Sequence, residues 1–552
     1  MALMAHGNLA ICVLLATMLH FANAACPAPI SLPVSNVDFF GGSSRRGIAI
    51  SIGSPVQQFS FAIDGAQNNS WVYRLGDNFR DLDTGESRCN SPAQCTTLRG
   101  GLYNPNISST ARIPTDQAIQ EDLYFSNAEQ DAPEVISVLN GTAVQDGIRV
   151  GSTTIEKYMF GMIWQIVWAL QWPQNTLGLG SGSTLLSALK SAELIASSSY
   201  AYYNGFITDS DDDRDGQIVF GGYDEARSTG ANVTHALEPS TEQCPTGMWL
   251  DLHDLVLTFP NGTSPSLLQG VTIRACVVPQ LSAVMALATD PYWIRFEEYT
   301  ETQAEGYVET AINWGTTTYD SNDVYDGGLR IDLGSGVVVD ITNDMLVSVG
   351  KTIAPGGGLY LDDETSAVLI QNDDAFITPL IGRQFFAAAQ LFVDYEAGTF
   401  TVSPVEDTTD SNLIAVGKDC AAASDVKPPD DSGGNNGNDQ QNHEDGTDGD
   451  KHVKPKGLTG GEIAGIVVGV IAALAIVAAI AFYFFRRRRR TDTRESSSSF
   501  PEAVGASPQG AELQTKPVRQ LSMSKTARSW FRSSEPKGDF SPSTREMQGS
   551  GF

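Results

Sequence analysis

One apolar segment near the C-terminal end limits what the rest of the chain can fold into. Ile463–Phe485 is a run of 23 mostly apolar residues, long enough to cross a bilayer core of about 30 Å. Five arginines, Arg486–Arg490, follow directly, and clustered basic residues stay on the cytoplasmic side. The sequence therefore predicts one transmembrane helix over residues 463–485 and a cytoplasmic tail over residues 486–552.

The N-terminus carries a second targeting signal. Apolar residues run from Leu9 to about Leu19, and Ala22–Ala24 supplies the small residues of a cleavage site. This pattern is typical of a secretory signal peptide over residues 1–24, although His6 stands where a lysine or arginine is usual. The two signals together predict a single-pass type I membrane protein that follows the secretory pathway to the cell surface, with its ectodomain outside.

Between these signals, residues 25–420 have the composition of a folded, mostly β ectodomain. Short runs rich in Val, Ile, Phe and Tyr, such as "QFSFAID" and "GQIVFGG", alternate with Gly, Asn and Asp and predict strands joined by turns. About 400 residues exceed the usual size of one hydrophobic core, so we expect two β-rich lobes. Residues 421–457 contain almost no apolar side chains and predict a disordered acidic stalk, and the tail over 486–552 is also predicted to be disordered.

The charge distribution limits the partners of the chain. The formal net charge is −30, and the tail after Phe485 holds 13 basic and seven acidic residues, which leaves the outer part near −36. A surface of this sign disfavours nucleic acid and anionic lipid. Asp211, Asp213 and Asp215 have the spacing that opens a calcium loop, but the twelfth position is Gly222 where a bidentate glutamate belongs. We therefore expect no metal site and no cofactor.

The cysteines and sequons fit an oxidising, glycosylating compartment. Cys12 leaves with the signal peptide, and the remaining six cysteines are an even set that allows 15 disulfide connectivities. Cys89 and Cys95 would close a short loop and are the first expected pair. Five Asn-x-Ser/Thr sequons precede the predicted span and predict N-glycosylation. These sequons begin at Asn68, Asn106, Asn140, Asn232 and Asn261.

Four segments occur in a fixed order between about Val34 and Pro404. They read "ISIGSPVQQFSFAIDGAQNNSWV", "NTLGLGSGSTLLSAL", "GQIVFGGYDEARSTG" and "PLIGRQFFAAAQLFVDYEAGTFTV". In this order they resemble the pepsin-like aspartic peptidases, of the membrane-anchored kind found in filamentous fungi. The resemblance implies a bilobal, mostly β acid-protease fold with a cleft between the lobes. Within that fold we expect the disulfides Cys26–Cys420, which ties the chain ends together, and Cys244–Cys276 in the second lobe.

The resemblance also implies a chemistry that needs two aspartates, one from each lobe, sharing a proton. Asp64 occupies the first position, but the family's Asp-Thr-Gly-Ser reads Asp64-Gly65-Ala66-Gln67 here. Gly65 lacks the hydroxyl that ties the two loops together, and Ala66 adds a methyl group where glycine is usual. Gln67 replaces the hydroxyl that would bond the carboxylate, and the Asn68 sequon adds a glycan site close by. We expect Asp64 to be vestigial.

The second position lacks an acid. Val278 stands where the family has its second aspartate, and no acidic residue occurs from Val271 to Thr289. Asp332 in "RIDLGSG" is the alternative, although it leaves fewer residues to the end of the lobe than the family requires. Asp83 in "LDTGES" copies the motif's letters but follows a charged segment rather than an apolar strand. Tyr124 is the nearest candidate for the tyrosine of the family's flap.

These residues lead to one hypothesis and two alternatives. The first is a catalytically inactive surface glycoprotein that binds a peptide or a cell-wall polymer in its cleft. The second is an active aspartic endopeptidase that uses Asp64 with a second acid such as Asp332. The third is a cell-surface sensor that signals through its tail, whose cytoplasmic partners the sequence does not identify.

Overall fold

A computed structural model describes residues 26–39, 42–76, 89–116, 139–166, 174–206, 214–308, 312–372, 378–418 and 420. The predicted signal peptide, stalk, transmembrane helix and tail lie outside these ranges, as do Asp83 and Tyr124. Within the described ranges, none of the helices has both the length and the apolar character needed to cross a membrane.

The described residues are mostly β, as the sequence predicts. The strands of the first half are β1 Ile30–Asp38, β2 Ser44–Ile52, β3 Gln57–Asp64, β4 Trp71–Tyr73, β5 Leu139–Val150, β6 Thr153–Ile166, β7 Asn175–Gly178, β8 Ser199–Phe206, β9 Arg214–Phe220, β10 Gly222–Asp224, β11 Val233–Ala236 and β12 Trp249–Leu252. Those of the second half are β13 Asp254–Thr258, β14 Ile273–Val277, β15 Met285–Leu287, β16 Gly306–Tyr307, β17 Thr316–Asp320, β18 Gly328–Asp332, β19 Val338–Ile341, β20 Val347–Ile353, β21 Leu359–Asn372, β22 Leu380–Ile381, β23 Ala389–Asp394, β24 Thr399–Pro404 and β25 Leu413–Ala415.

The α-helices in the described part of the chain are short, and two of them begin at side-chain caps. They are α1 Pro92–Arg99, α2 Thr184–Ser191, α3 Ile294–Thr300 and α4 Asn343–Leu346. The Ser91 hydroxyl accepts the Gln94 N–H at the start of α1, and the Ser183 hydroxyl accepts the Leu186 N–H at the start of α2. Each cap satisfies a backbone donor that has no partner inside its helix. Helix α1 ends at Gly100, whose φ of 71° suits glycine.

The strands form two large sheets, which define two lobes. A twelve-stranded sheet has the order β11-β24-β23-β8-β9-β1-β2-β3-β7-β4-β6-β5, and we call the part built on it the first lobe. An eight-stranded sheet, β12-β14-β22-β15-β21-β17-β16 with β20 beside β21, and a three-stranded sheet, β13-β18-β19, make up the second lobe. Strands β23 and β24 follow the second lobe in sequence but pair in the sheet of the first. The chain therefore returns to the first lobe near its C-terminal end.

Alternating side chains explain why β2 and β3 form the centre of the first lobe. Ile48 and Ile50 of β2 lie opposite Phe61 and Phe59 of β3 in an antiparallel pair, and all four are almost fully buried. Side chains alternate between the faces of a strand, so this period of two places one apolar face against the core. This packing fixes the position of β3. The strand ends at Asp64.

Three disulfides hold this framework. Cys26–Cys420 joins residues 394 apart in sequence. Cys89–Cys95 connects the loop that precedes α1 to a residue within α1. Cys244–Cys276 links the segment before β12 to β14. These are the pairs expected from the sequence. The long-range link between the two ends of the ectodomain restricts the unfolded chain most strongly, since the stabilisation expected from loop closure grows with loop length.

Candidate active site

The first-lobe turn begins where β3 ends at Asp64. Strand β3 runs parallel to β7, and Asp64 lies opposite Gly178 in this pairing. Strand β4 begins seven residues after Asp64, at Trp71, and inserts beside β7 so that Trp71 pairs with Thr176. The carboxylate is therefore carried by a turn that leaves the sheet after β3 and re-enters it on the other side of β7.

The second lobe repeats this arrangement with a valine in place of the aspartate. Strand β14 runs parallel to β22 with Val277 opposite Ile381, so the next residue, Val278, stands level with Gly382. Strand β15 begins at Met285, seven residues after Val278, and pairs with β22 on its other side. The strand order and the spacing of seven both make Val278 the second-lobe equivalent of Asp64.

Two glycines support the same equivalence independently of strand pairing. A Cβ atom on Gly178 would lie 2.4 Å from the backbone oxygen of Asn69, and one on Gly382 would lie 2.3 Å from the backbone oxygen of Ala283. Asn69 follows Asp64 by five residues, and Ala283 follows Val278 by five. In both lobes the turn packs so closely on the neighbouring strand end that only glycine fits there.

Asp64 is a buried acid that keeps its proton through the acidic range. Its side chain is 1 % exposed, and the backbone N–H groups of Ala66 and Gln67 donate to Oδ1 at 3.0 and 3.2 Å. Burial raises the pKa of Asp64 to about 7, and the two N–H groups oppose this rise only in part. Among the residues that the structure describes, no second carboxylate contributes to this pKa shift. The coupling expected of a proton-sharing pair is therefore missing.

Two tyrosines lie beside the Asp64 turn, Tyr200 fully buried and Tyr395 partly buried. The Tyr395 hydroxyl donates to the backbone oxygen of Leu179, and the Leu179 N–H donates to the backbone oxygen of Asp64 at 2.9 Å. Burial raises the pKa of both Tyr200 and Tyr395, and the charge of Asp64 raises both further. These phenols stay protonated, and among the described residues no cation contributes to the pKa of Asp64 to favour its ionisation.

Two methyl groups and the Tyr200 hydroxyl fill the place next to Gly65, where the resemblance implies a threonine. A Cβ atom on Gly65 would lie 3.3 Å from Cε of Met248 and 3.4 Å from Cγ2 of Thr246. Thr246 also donates to the backbone oxygen of Val277 at 2.7 Å, and the Val277 N–H donates to the Met248 backbone oxygen at 2.9 Å. The segment before β12 thus stands between the Asp64 turn and the strand that leads to Val278.

We expect Gly65→Thr to destabilise the protein by about 1–3 kcal/mol, because its side chain must displace well-packed atoms. The same substitution in a Met248→Ala background should have a smaller effect, since the methionine methyl group is then absent. Urea unfolding of the four proteins of this double-mutant cycle measures the coupling between the two positions. Equal destabilisation in both backgrounds would contradict the close contact between position 65 and Met248.

Val278 lies in an apolar cluster rather than in a polar cleft floor. It is 7 % exposed and packs with the Cys244–Cys276 disulfide. Leu281 and Leu380 cover this cluster from the side. The backbone of Val278 donates to the Ile381 oxygen at 2.8 Å and accepts the Leu281 N–H at 2.9 Å. The backbone turn is therefore well formed, while its side chain has no acid–base function.

The alternative acid, Asp332, ends β18 in the three-stranded sheet of the second lobe. It pairs with Asp254 of β13 and with Val338 of β19. Its carboxylate accepts the Gly334 N–H at 2.7 Å, and its backbone oxygen accepts the His253 N–H at 2.8 Å. These contacts are those of a residue that starts a hairpin turn, outside both strand arrangements that carry Asp64 and Val278.

The predicted glycosylation sites differ in their surroundings. Asn106, Asn232 and Asn261 are exposed, and Asn140 is in β5. Asn68 is half-buried, and its side-chain oxygen accepts the Gly182 N–H at 2.9 Å. The backbone oxygen of Asn68 accepts the N–H of Thr184 in the first turn of α2. Asn68 therefore ties the Asp64 turn to α2, a structural role that its sequon does not reveal.

Several residues around Asp64 were not singled out from the sequence. Thr246 and Met248 lie in "PTGMWL", a segment without any catalytic pattern, and they reach the site only because the segment before β12 folds back beside the Asp64 turn. Tyr200 and Tyr395 are about 140 and 330 residues away from Asp64 in sequence. The strand signals around them predict a core position but not which residue they contact.

One comparison with known proteins bears on this site. Residues 47–249 match the model of a family described as eukaryotic aspartyl protease, which confirms the resemblance to the pepsin-like aspartic peptidases; the membrane-anchored fungal type stays a prediction. The matched range contains the Asp64 turn and ends before Val278. A search of the curated proteins finds no match.

Proposed function

We propose that this pepsin-like aspartyl protease domain has lost peptidase chemistry and acts as a binding module for a peptide or a cell-wall polymer in the cleft between its lobes. The observation that carries the proposal is the strand register of the second lobe, in which Val278 is the counterpart of Asp64. The fold and the first aspartate are retained, while the second acid is replaced by an apolar side chain.

The chemistry of the family explains why one aspartate is insufficient. One carboxylate must be ionised to take a proton from water, and the other must be protonated to supply one to the carbonyl oxygen of the substrate. The pKa of Asp64, about 7, leaves it mostly protonated in the acidic range in which such enzymes work. A protonated Asp64 can donate a hydrogen bond to a ligand, but no second carboxylate is available at position 278 to activate water.

The alternative that Asp332 completes a pair has less support. Its carboxylate accepts a backbone N–H two residues further on, which is the usual role of an aspartate at a turn. Its strand belongs to a sheet separate from those of β3 and β14. Asp332 is also not among the groups that shift the pKa of Asp64.

We further propose that the domain is displayed outside the cell as a single-pass, N-glycosylated type I membrane protein. The support is the apolar run over 463–485 with its following arginines, the signal sequence over 1–24 and the sequons that precede the span. Protease treatment of intact cells should remove the ectodomain while an epitope tag after Phe552 stays protected. Removal of the tag by protease added to intact cells would contradict the proposed topology.

The full-length protein, purified in detergent, should not cleave a mixed peptide library between about pH 3 and 7. The reaction needs a base that takes a proton from water and an acid that gives one to the carbonyl oxygen, and one aspartate cannot fill both roles. Product formation is measured by mass spectrometry for the wild-type protein and for Asp64→Asn. Cleavage that is present in the wild type and lost in Asp64→Asn would refute the proposal, and it would require a second acid that our assignment of Val278 misses.

A further inference from the structure

We propose that the hairpin of β20 and β21 is a latch that holds the second lobe against the first and restrains opening of the cleft. The two strands pair from Val347 with Val368 to Ile353 with Leu359. Strand β21 also pairs with β17 and β15 inside the eight-stranded sheet, which anchors the base of the hairpin in the second lobe. The latch tip, residues 353–358, lies on α1 of the first lobe.

The side chains that hold the latch tip come from α1 and from Ser91, the residue that caps it. They are spaced three residues apart, and residues at that spacing lie on the same side of a helix. All three donate hydrogen bonds to backbone oxygens at alternate positions of the latch tip. Ser91 donates to Pro355, Gln94 donates to Ile353 at 2.8 Å, and Thr97 donates to Gly357 at 2.6 Å.

Close packing accompanies these hydrogen bonds. Gly357 has a φ of +86°, and a Cβ atom there would lie 2.9 Å from the Ala93 backbone oxygen and 3.1 Å from the Ser43 Cβ. Gly357 is buried although its neighbours Gly356 and Gly358 are exposed. Ile353 packs on the small apolar cluster of the first lobe that includes Leu98. The latch tip thus occupies a fitted site rather than resting on the surface.

Helix α1 is held firmly in the first lobe, whereas the latch tip is attached to the second lobe only through its two strands. The Cys89–Cys95 disulfide closes the loop at the start of α1, and the Gly100 backbone oxygen accepts the Ser60 N–H of β3 at 2.8 Å. Helix α1 is therefore fixed to the first lobe. The latch tip is the end of a two-stranded arm, and three neutral hydrogen bonds with one apolar contact can break without unfolding either sheet.

The latch joins elements of the two lobes, so it affects whether they can move apart. The Asp64 turn already faces the second-lobe segment that carries Thr246 and Met248. The latch adds a further contact between the lobes, made by α1 and the β20–β21 arm. A rigid-body opening of the lobes has to break such a contact before it can widen the cleft. The latch would act in the same way in a catalytic and in a non-catalytic domain.

Hydrogen–deuterium exchange of the full-length protein tests the latch. Gly357→Val forces a branched side chain into the fitted site at a φ of +86°, and Gly356→Val controls for a branched side chain in the same turn, since a Cβ there meets nothing within 4 Å. We expect Gly357→Val to raise exchange at least tenfold in residues 92–99 and 353–358. It should also raise exchange several-fold at the Ala66 and Gln67 amides of the Asp64 turn, which lie away from the latch.

A milder pair of variants keeps the test valid if Gly357→Val fails to fold. Thr97→Val removes one donor to the latch tip, whereas Thr96→Val removes a hydroxyl that bonds only to Pro92 within α1. The proposal predicts increased exchange at the latch tip and at residues 66–67 for Thr97→Val alone. Unchanged exchange at residues 66–67, despite increased exchange at the latch tip, would show a local contact that does not restrain the lobes. An equal effect of both variants in either pair would also overturn the latch.

Discussion

Asp64→Asn should stabilise the protein by about 4 kcal/mol more at pH 8.5 than at pH 3.5, because a shift of one pKa unit corresponds to about 1.4 kcal/mol. The expectation follows from burial, which raises the pKa of Asp64 from 3.8 to about 7. Asparagine has nearly the same shape, and its side-chain oxygen can accept the Ala66 and Gln67 N–H groups that Asp64 accepts now.

The direction follows from the two protonation equilibria. Below about pH 3.8 both the folded and the unfolded wild-type protein hold the proton, and Asp64 contributes no pH dependence. As the pH rises from about 4 to 7, the unfolded state releases the proton while the folded state keeps it, so the free energy of unfolding falls. Above about pH 7 the folded state must bury the charge, and the full penalty is present. The asparagine variant avoids this penalty because it does not titrate.

Urea unfolding at pH 3.5, 6 and 8.5, followed by tryptophan fluorescence, measures this difference. Asp394→Asn is a matched control, since Asp394 is also buried and its Oδ1 also accepts backbone N–H groups two and three residues further on. It reports what the substitution does to this type of turn. A difference between wild type and Asp64→Asn that stays constant from pH 3.5 to 8.5 would contradict a raised pKa for Asp64.

If the domain is inactive as proposed, the raised pKa explains why an aspartate can persist at position 64. In an acidic environment the neutral carboxyl group is buried without charge, and its Oδ1 accepts two backbone N–H groups in the turn. Removing the second acid takes away the like-charge repulsion that would otherwise raise the pKa of one member of a pair. The retained residue then serves the turn, in the same way that Asp394 and Asp332 serve theirs.

The sequence was sufficient for features that depend on local pattern. Alternating apolar residues around "AISI" and "FSFAID" predicted paired strands, and β2 and β3 form that pair with Ile50 opposite Phe59. Even cysteines in an oxidising compartment predicted disulfides, which the structure contains. The turn at Asp64 follows from an apolar strand that ends in a short polar segment. In each case the responsible residues are close in sequence or chemically restricted in their partners.

Long-range contacts could not be read from the sequence. The filling of the space beside Gly65 depends on Met248, whose own segment reads as an ordinary entry into a strand. "APGGG" at residues 354–358 predicts a turn, but a turn signal does not specify that Gly357 is buried against Ala93 of the other lobe. Such contacts depend on the relative placement of elements about 260 residues apart, which propensity and periodicity do not encode.

Val278→Asp should destabilise the protein at neutral pH by about 3–5 kcal/mol, the usual penalty for a buried charge without a partner. Val278 packs against the Cys244–Cys276 disulfide, Leu281 and Leu380, and none of these groups can stabilise a carboxylate. Burial should raise the pKa of the new acid, so the loss of stability should be smaller at pH 4 than at pH 7. The substitution should not restore peptidase activity, since Met248 and Thr246 still fill the space beside Gly65.

Val278→Asn separates charge from shape in this experiment. Asparagine brings a polar side chain of the same size into the apolar cluster, so its penalty should not change between pH 4 and pH 7. The difference between the aspartate and asparagine variants therefore isolates the ionised carboxylate. A stable Val278→Asp protein that cleaves peptides at acidic pH, and loses this activity on further Asp64→Asn substitution, would mean that the two turns still meet as a working pair. The apolar cluster around Val278 would then be the single barrier to catalysis, and the filled space beside Gly65 would have no effect on it.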